Sequence, residues 1–526
     1  MNIPNLHYYH PSWIQQTQEV LRTEICVYGG TAAGAIAAVK AARLGKSVVL
    51  LQPGQHLGGL TTGGLGCTDI GKAHVIGGMA RQFYRDLGQE YGKPEEWYFE
   101  PHIAARAINR LVDGLPVRCC QYLDKVELSG RHITAISLLG GLRVEARMFI
   151  DASYEGDLLA KAGVTYIVGR ESNAVYGETL NGIQVREYHQ FSHPVDPSIN
   201  GQLLPGIEGE DLAHRQGEGD HRIQAYCFRV CMTDDPPRQV PWSKPADFDP
   251  QHYVLATRWF VGPKDELNDN LPGWTPGDPD VPKKFDYLSV QLPGGYHKTD
   301  TNNHGPVSSD FIGANYDWPE AGYARREEIF QRHVSYQMGF YWHMANAPEI
   351  PERYRRAYAR WGLANDEFAD TGHWPHQLYV REARRMVSAY VLTEADCRLQ
   401  RRAEDSVGMG SYHMDSHNCC RFVSGGCVVN EGDVQVAPAG PYPISYRSIV
   451  PRQGECDNLL VPVCLSASHI AYGSVRMEPV FMVLGESSAV AAALALDANT
   501  AVQDIDIARL RHRLQADGQV LVTPPS

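Results

Sequence analysis

The stretch TEICVYGGTAAGAIAAVKAARLGKSVVLLQPGQHLGGLTTGGLG, residues 23–66, decides the fold of this chain. Residues 25–28 read as a short apolar strand that turns sharply at Gly29-Gly30. An alanine-rich helix over 31–44 follows, Gly45-Lys46 ends it, and a second apolar strand covers 47–51. Strand, helix and strand in that order make a βαβ unit. Its helix N-terminus aims unpaired backbone N–H groups at whatever sits beyond the first strand. A pyrophosphate is the usual occupant.

The glycines depart from the Gly-x-Gly-x-x-Gly pattern, because Thr31 takes the middle glycine position between Gly30 and Gly34. Its Cβ pushes a phosphate slightly away, and its hydroxyl can donate a hydrogen bond in return. The second strand ends in Gln52, where Asp or Glu would hold a ribose hydroxyl. An amide bonds a diol less strongly than a carboxylate does. Directly afterwards comes LGGLTTGGLG, residues 57–66, a run whose glycines let backbone approach a flat ligand closely. The candidate cofactor residues in this stretch are therefore Gly29, Gly30, Thr31, Ala33, Gly34, Gln52, Gly58, Gly59, Leu60, Thr61, Thr62, Gly63 and Gly64.

Composition bounds the rest. A chain of 526 residues can hold two or three domains, and 43% hydrophobic with 21% charged residues is ordinary for a globular protein. The net charge of −13 argues against nucleic acid or an anionic membrane surface as partner. No apolar run reaches the ~18 residues of a spanning helix, and the N-terminus has no basic region followed by an apolar core. The 12 cysteines include two adjacent pairs, Cys119-Cys120 and Cys419-Cys420, but no Cys-x-x-Cys. That spacing argues against zinc or iron–sulfur ligation and for reduced, buried thiols in a cytoplasmic protein, with no metal expected.

Along the chain, residues 1–22 form an arm that packs on the domain or on a neighbouring subunit, which makes a homo-oligomer plausible. Residues 77–92 and 101–112 have helical spacing, and 117–149 break into short β-rich pieces, a β-meander. That meander delivers a strand ending at Asp151, returning to the nucleotide sheet. The fold class is α/β. A Rossmann-like domain with a parallel sheet and meander takes 23–168 and resumes at 373–526, with an inserted α+β substrate domain over 169–372. The insert holds the polar run LPGGYHKTDTNNHGP, residues 292–306, which suits a loop at a polar ligand. Residues 379–386, YVREARRM, read as a helix start thick with arginine, its cations clamping anions or forming a solvated face. In GMGSYHMDSH, residues 408–417, His413, Asp415 and His417 alternate and would share one side of a strand. A small-residue helix beginning near Gly485 presents a second dipole, through Gly485, Ser487 and Ser488, to a ligand.

The glycine unit, the 58–66 loop and the terminal helix together resemble flavoproteins of the glutathione-reductase type. More closely, VYGGT at 27–31, the 56–66 run, DASYEGDL at 151–158, YVREARRM at 379–386 and RMEPVFM at 476–482 resemble the bacterial FAD-dependent oxidoreductase family. That family is distantly related to the flavin part of heterodisulfide reductase and to fumarate reductase flavoproteins. The likeness covers about 23–520 and implies FAD, with Val126 placed to read adenine through its backbone. Comparison with fumarate reductase flavoproteins makes His56 a candidate to carry FAD covalently, the alternative being a histidine that only packs or hydrogen-bonds near the flavin, and implies that Arg476 faces substrate.

These readings converge on a small-molecule substrate oxidised by hydride transfer to flavin N5, with an unassigned electron acceptor. The substrate expected is hydroxyl-bearing: a sugar, glycoside or polyol. His469 is the first choice of base, followed by His413, His417 and His304; Arg447 and Arg476 would anchor oxygen atoms. The alternatives are a reductase of an activated C=C bond and a noncatalytic binding protein that keeps the fold.

Overall fold

The computed structural model describes residues 3–262, 285–287, 292, 296–303 and 305–523. Strand β1 (Val20–Tyr28), helix α1 (Ala32–Arg43) and strand β2 (Val48–Leu51) form the βαβ unit where the sequence places it. β1 and β2 pair in parallel from Ile25 opposite Val48 to Tyr28 opposite Leu51. Both strands are buried on two faces over this length, so they read as continuous apolar runs. The arm is shorter than 1–22, since β1 already begins at Val20.

Helices α2 (Gly78–Glu90) and α3 (Pro101–Leu111) lead to β3 (Val117–Arg118), which pairs with β2. The meander is β4 (Leu123–Ser129), β5 (His132–Leu138) and β6 (Arg143–Asp151). β6 returns parallel to β1, Tyr28 opposite Asp151. The sheet order is β3-β2-β1-β6-β5-β4, and a seventh strand, Leu459–Leu460, joins β6 in parallel. This mixed sheet of Rossmann-like order puts the C-terminal ends of β1, β2 and β6 at one edge, facing the N-terminus of α1.

Helix Glu478–Ala498 crosses α1 on one side of the sheet. A Cβ on Gly485 would stand 2.3 Å from the Ala33 carbonyl, so glycine is what lets the two backbones meet. The helix begins at Glu478, not near Gly485 as the small-residue pattern suggests. Gly485, Ser487 and Ser488 therefore lie mid-helix, their N–H groups spent on the helical ladder, and none is a terminal donor. This helix is also apolar and long enough to pass for a membrane span, which corrects the expectation that no such run exists; it is almost wholly buried in the fold.

Residues 379–386 are extended rather than helical, and Arg385–Met386 pair antiparallel with Tyr166–Ile167. Arg381, Arg384 and Arg385 are all buried, so neither a helix start nor a solvated face describes them. Each pairs with a carboxylate: Arg381 with Asp310, Arg384 with Asp157, which it shares with Arg326, and Arg385 with Glu171 and Glu382. Between residues 232 and 364 a second, antiparallel sheet orders Gln239–Val240, Gly362–Ala364, Met232–Thr233, Lys298–Thr301 and Phe285–Tyr287. Helix Tyr323–Asn346 joins the two regions: Gln337 accepts from the Phe228 N–H, while Arg326 reaches Asp157 after β6.

Candidate functional site

A groove opens at the sheet edge, lined by Gly29, Thr31, Gln52, His56, Gly59, Ser153 and Tyr154 among others. Gly29 holds φ at +100°, and a Cβ there would sit 2.4 Å from the Ser153 nitrogen. A Cβ on Gly34 would lie 1.9 Å from the Gly29 carbonyl oxygen, so helix and loop touch backbone to backbone. Thr31 is the N-cap of α1. Its hydroxyl accepts from Gly34 N–H (3.3 Å) and donates to the Ala152 carbonyl (2.8 Å), so it is not the phosphate donor expected. Gln52 corrects its expectation in part: its Oε1 accepts from Gly30 N–H (2.7 Å) and fixes the loop, which leaves Nε2 as the end that can reach a ribose. Ala32 and Ala33 open the helix, where backbone amides have no partner one turn back.

The second glycine run carries a 3₁₀ turn at Gly59–Thr61, with Gly58, Gly59 and Gly64 at positive φ. Gly58 N–H bonds the Gly30 carbonyl (2.7 Å), tying this run to the first loop. Its threonines face protein: Thr61 donates to Glu478 (2.8 Å) and Thr62 to the Leu57 carbonyl (2.5 Å). Leu60 N–H donates to the Tyr154 hydroxyl, which in turn donates to Glu478 (2.6 Å). Gly63 packs on Gln377, and a Cβ on Gly64 would be 2.0 Å from the Arg229 carbonyl.

Glu478 thus pins this run from the first turn of its helix. Burial lifts its carboxyl from the ordinary 4.5 to about 7, against the pull of its bonds from Tyr154 and Thr61. A raised folded-state value means the folded protein holds a proton that the unfolded chain releases. This part of the stability is complete below the ordinary carboxyl value and is lost as pH rises through about 7. The loss is on the order of 3 kcal/mol. Glu155, buried beside the groove and also raised to about 7 by burial against the pull of Arg326, adds a second step of the same sign. Thermal melts should show Tm of the wild type falling between pH 5 and pH 8, and Glu478→Gln should flatten part of that slope. Parallel slopes in the two proteins would refute the assignment.

Asp151 is fully buried and bonds Ser153 N–H and hydroxyl and Leu159 N–H. It shapes the turn after β6 rather than lining the groove, and burial raises it to about 6. The groove takes Ser153, Tyr154 and Glu155 from that turn instead; DASYEGDL was the sequence signal for them. Val126 lies on β4, at the outer edge of the sheet. His56 lines the groove, but its Nε2 pairs with Asp370 (2.7 Å) and its ring stacks on His376 at 4.0 Å.

Beyond Gly64 lies a buried polar cluster. Arg229 pairs with Asp300, which also accepts from Cys67 N–H. Arg381 pairs with Asp310 (3.0 Å), and Arg476 with Asp415 (3.0 Å) and the Tyr379 hydroxyl (2.5 Å). Both guanidiniums lie over the Tyr379 ring. His417 completes the cluster, its Nδ1 on Asp310 (2.7 Å) and its Nε2 3.6 Å from Asp415. Burial and Arg381 push His417 down, yet the two carboxylates win and its value is raised. Asp415 falls to about 2 because His417 and Arg476 outweigh its burial.

Of the other acid–base candidates, none joins the cluster among the described residues. His469, the first choice, is sealed in the interior with Nδ1 on Glu382 (2.9 Å) and Nε2 on Ser416 (3.1 Å), opening helix His469–Val475. His413 is exposed, so of the alternating trio only Asp415 and His417 meet. Arg447 sits at the surface on Asp405 (2.9 Å) and Tyr390. His304 lies outside the described residues. Elsewhere, Glu100, His102 and Glu367 have the spacing of a metal site. The Lys298 ammonium already bonds Glu100 (2.6 Å), Asp366 (2.8 Å) and Glu367 (2.9 Å).

A βαβ unit with glycine contacts at the helix start, Gln52 at the ribose position and a second glycine run define a dinucleotide-binding protein. The free α1 amides and the Gln52 amide fit the diphosphate and ribose of FAD. The chain belongs to the FAD dependent oxidoreductase family, whose profile matches residues 24–514. It is a flavin enzyme that binds FAD. No curated protein matches it. Solved structures with partial likeness include the OxyS anhydrotetracycline hydroxylase of Streptomyces rimosus (10% identity, 32% of this chain and 40% of that one, TM-score 0.23). THI4 of Thermovibrio ammonificans is another (18% identity, 28% and 64%, TM-score 0.22). A third is a steroid monooxygenase bound to NADP (19% identity, 25% and 26%, TM-score 0.21). The chain spans less than two thirds of the length of each.

Proposed function

We propose that this oxidoreductase dehydrogenates a hydroxyl-bearing small molecule at the Arg476–Tyr379–His417 cluster. The observation that carries the reading is the position of this cluster: Arg476 stands two residues before Glu478, which bonds Thr61 of the glycine run. Bound FAD supplies the two-electron acceptor. Arg476 and Arg381 stabilise negative charge on a substrate oxygen as its proton leaves. His417 replaces His469 as the group that handles that proton, because Asp310 orients its ring and Asp415 faces its other nitrogen. Its raised value means that it titrates above the ordinary histidine range, so turnover should rise with pH as His417 loses its proton.

The same raised value favours a second reading, in which protonated His417 would supply the proton, and reduced FAD the hydride, that an activated C=C bond takes up. In either case we read FAD as held noncovalently, with His56 Nε2 bonded to Asp370 and its ring stacked on His376.

The test is an absorbance spectrum of the purified protein, then acid precipitation, then anaerobic addition of polyols, glycosides and hydroxy acids. Yellow protein, colour released to the supernatant and bleaching by one of these alcohols are the expected results. Colour kept in the pellet would restore the covalent role of His56. Reduced enzyme reoxidised by enoates, with no alcohol able to bleach it, would favour the second reading.

A further inference from the structure

The N-terminal arm crosses the cofactor groove, and His7 and Tyr8 line it together with Gly29, Thr31, Gln52 and Ser153. Among the described residues, 3–14 make no backbone–backbone hydrogen bond to the rest of the chain. Leu6 is buried in the core, the Tyr8 ring packs on Trp318 and Tyr9 on Tyr122 and Tyr323, and the main polar anchor of the segment is one carboxylate. Glu327, on helix Tyr323–Asn346, accepts from Tyr8 N–H (2.7 Å) and Tyr9 N–H (3.0 Å) and pairs with His7 Nδ1 (2.7 Å). Gln331 adds a bond to the Leu6 carbonyl and Tyr122 one to the Tyr8 carbonyl. The Tyr8 hydroxyl is placed by Arg326, which donates to it (3.2 Å) while gripping Asp157 with both nitrogens. The phenol keeps one proton to give. No described side chain or carbonyl takes that proton, and the groove lies beside it.

We propose that the arm is part of the FAD site: His7 and Tyr8 form a strap over the groove, and the Tyr8 hydroxyl donates to an oxygen of the dinucleotide. This rests on FAD occupying the groove. FAD then enters and leaves only when the arm lets go of Glu327, and the Tyr8 bond to the bound dinucleotide slows its release. An arm fastened through side chains rather than a sheet ladder can open locally without unfolding the domain.

The experiment is the rate of FAD release after dilution, read as recovery of flavin fluorescence, for wild type, Tyr8→Phe and Glu327→Ala. Tyr8→Phe removes the hydroxyl's bond to FAD along with the one it accepts from Arg326, and should speed release about tenfold. Glu327→Ala unfastens the strap and should speed it further. Tm of each apoprotein controls for folding, and limited proteolysis of the arm should slow when FAD is bound. Wild-type release rates in both variants, with the arm equally protected with and without FAD, would overturn the strap. A wild-type protein that takes up no FAD would instead strike the cofactor reading, and the strap with it.

Discussion

Gly34→Ala is expected to leave the protein nearly free of flavin. The added methyl would fall 1.9 Å from the Gly29 carbonyl oxygen, where van der Waals contact needs more than about 3 Å. The two nearest atoms, the Gly29 carbonyl oxygen and carbon, are backbone, so no side chain can swing away. The loop has little room to retreat either: Gly29 bonds Leu51, Gly30 bonds Gln52 and Gly58 bonds Gly30. The start of α1 must lift off the loop, which moves the free amides away from the diphosphate. Overpacking of this kind costs on the order of 1–3 kcal/mol or more, up to about a hundredfold in affinity. The control is Gly45→Ala at the other end of the same helix. Gly45 also has positive φ (+76°), but its Cβ would meet nothing within 4 Å. It should cost about 1 kcal/mol of stability and keep its flavin. The ratio of flavin to protein absorbance after gel filtration decides the matter, and a Gly34→Ala protein with full flavin would show that this contact does not shape the site.

The nucleotide half of the fold is legible in the sequence because its signals are local. Residues 25–28 and 48–51 are buried on both faces, so their apolar runs need no partner to be recognised. What the sequence hides is where polar groups point. The Thr31 hydroxyl faces Ala152, and Gln52 faces Gly30, because chain far away in sequence or backbone across a loop supplies the partner. Residues 379–386 mislead for the same reason. Three arginines in eight residues suggest solvent, whereas Asp310, Asp157 and Glu171 meet them in the interior. The start of helix Glu478–Ala498 could have been found: Pro479 stands in its first turn, the position proline favours. No local pattern separates His417 from His469. Both are buried and paired with a carboxylate, and only tertiary packing puts one beside Arg381 and Arg476.

Residue type alone treats Arg447 and Arg476 as equals, only the family resemblance sets Arg476 apart, and the structure predicts opposite behaviour. Arg476→Lys should lower kcat/KM by about 10²–10³-fold, the size of effect seen when one aimed donor to a developing charge is lost, with flavin content and Tm little changed. The guanidinium serves Tyr379 and Asp415 from two nitrogens in a fixed plane, and its Nε has no partner among the described residues. A lysine ammonium keeps the charge but is a point donor that cannot hold both partners in that geometry. The loss should fall on kcat more than on KM if Arg476 acts on charge that develops during the reaction. Arg447→Lys, at an exposed pair with Asp405, should change kcat/KM less than about twofold, because surface pairs contribute ~1 kcal/mol or less to stability and this one lies outside the cluster. Equal losses in the two variants, or full activity in Arg476→Lys with its flavin spectrum intact, would remove Arg476 from the reaction and move the substrate site away from Tyr379.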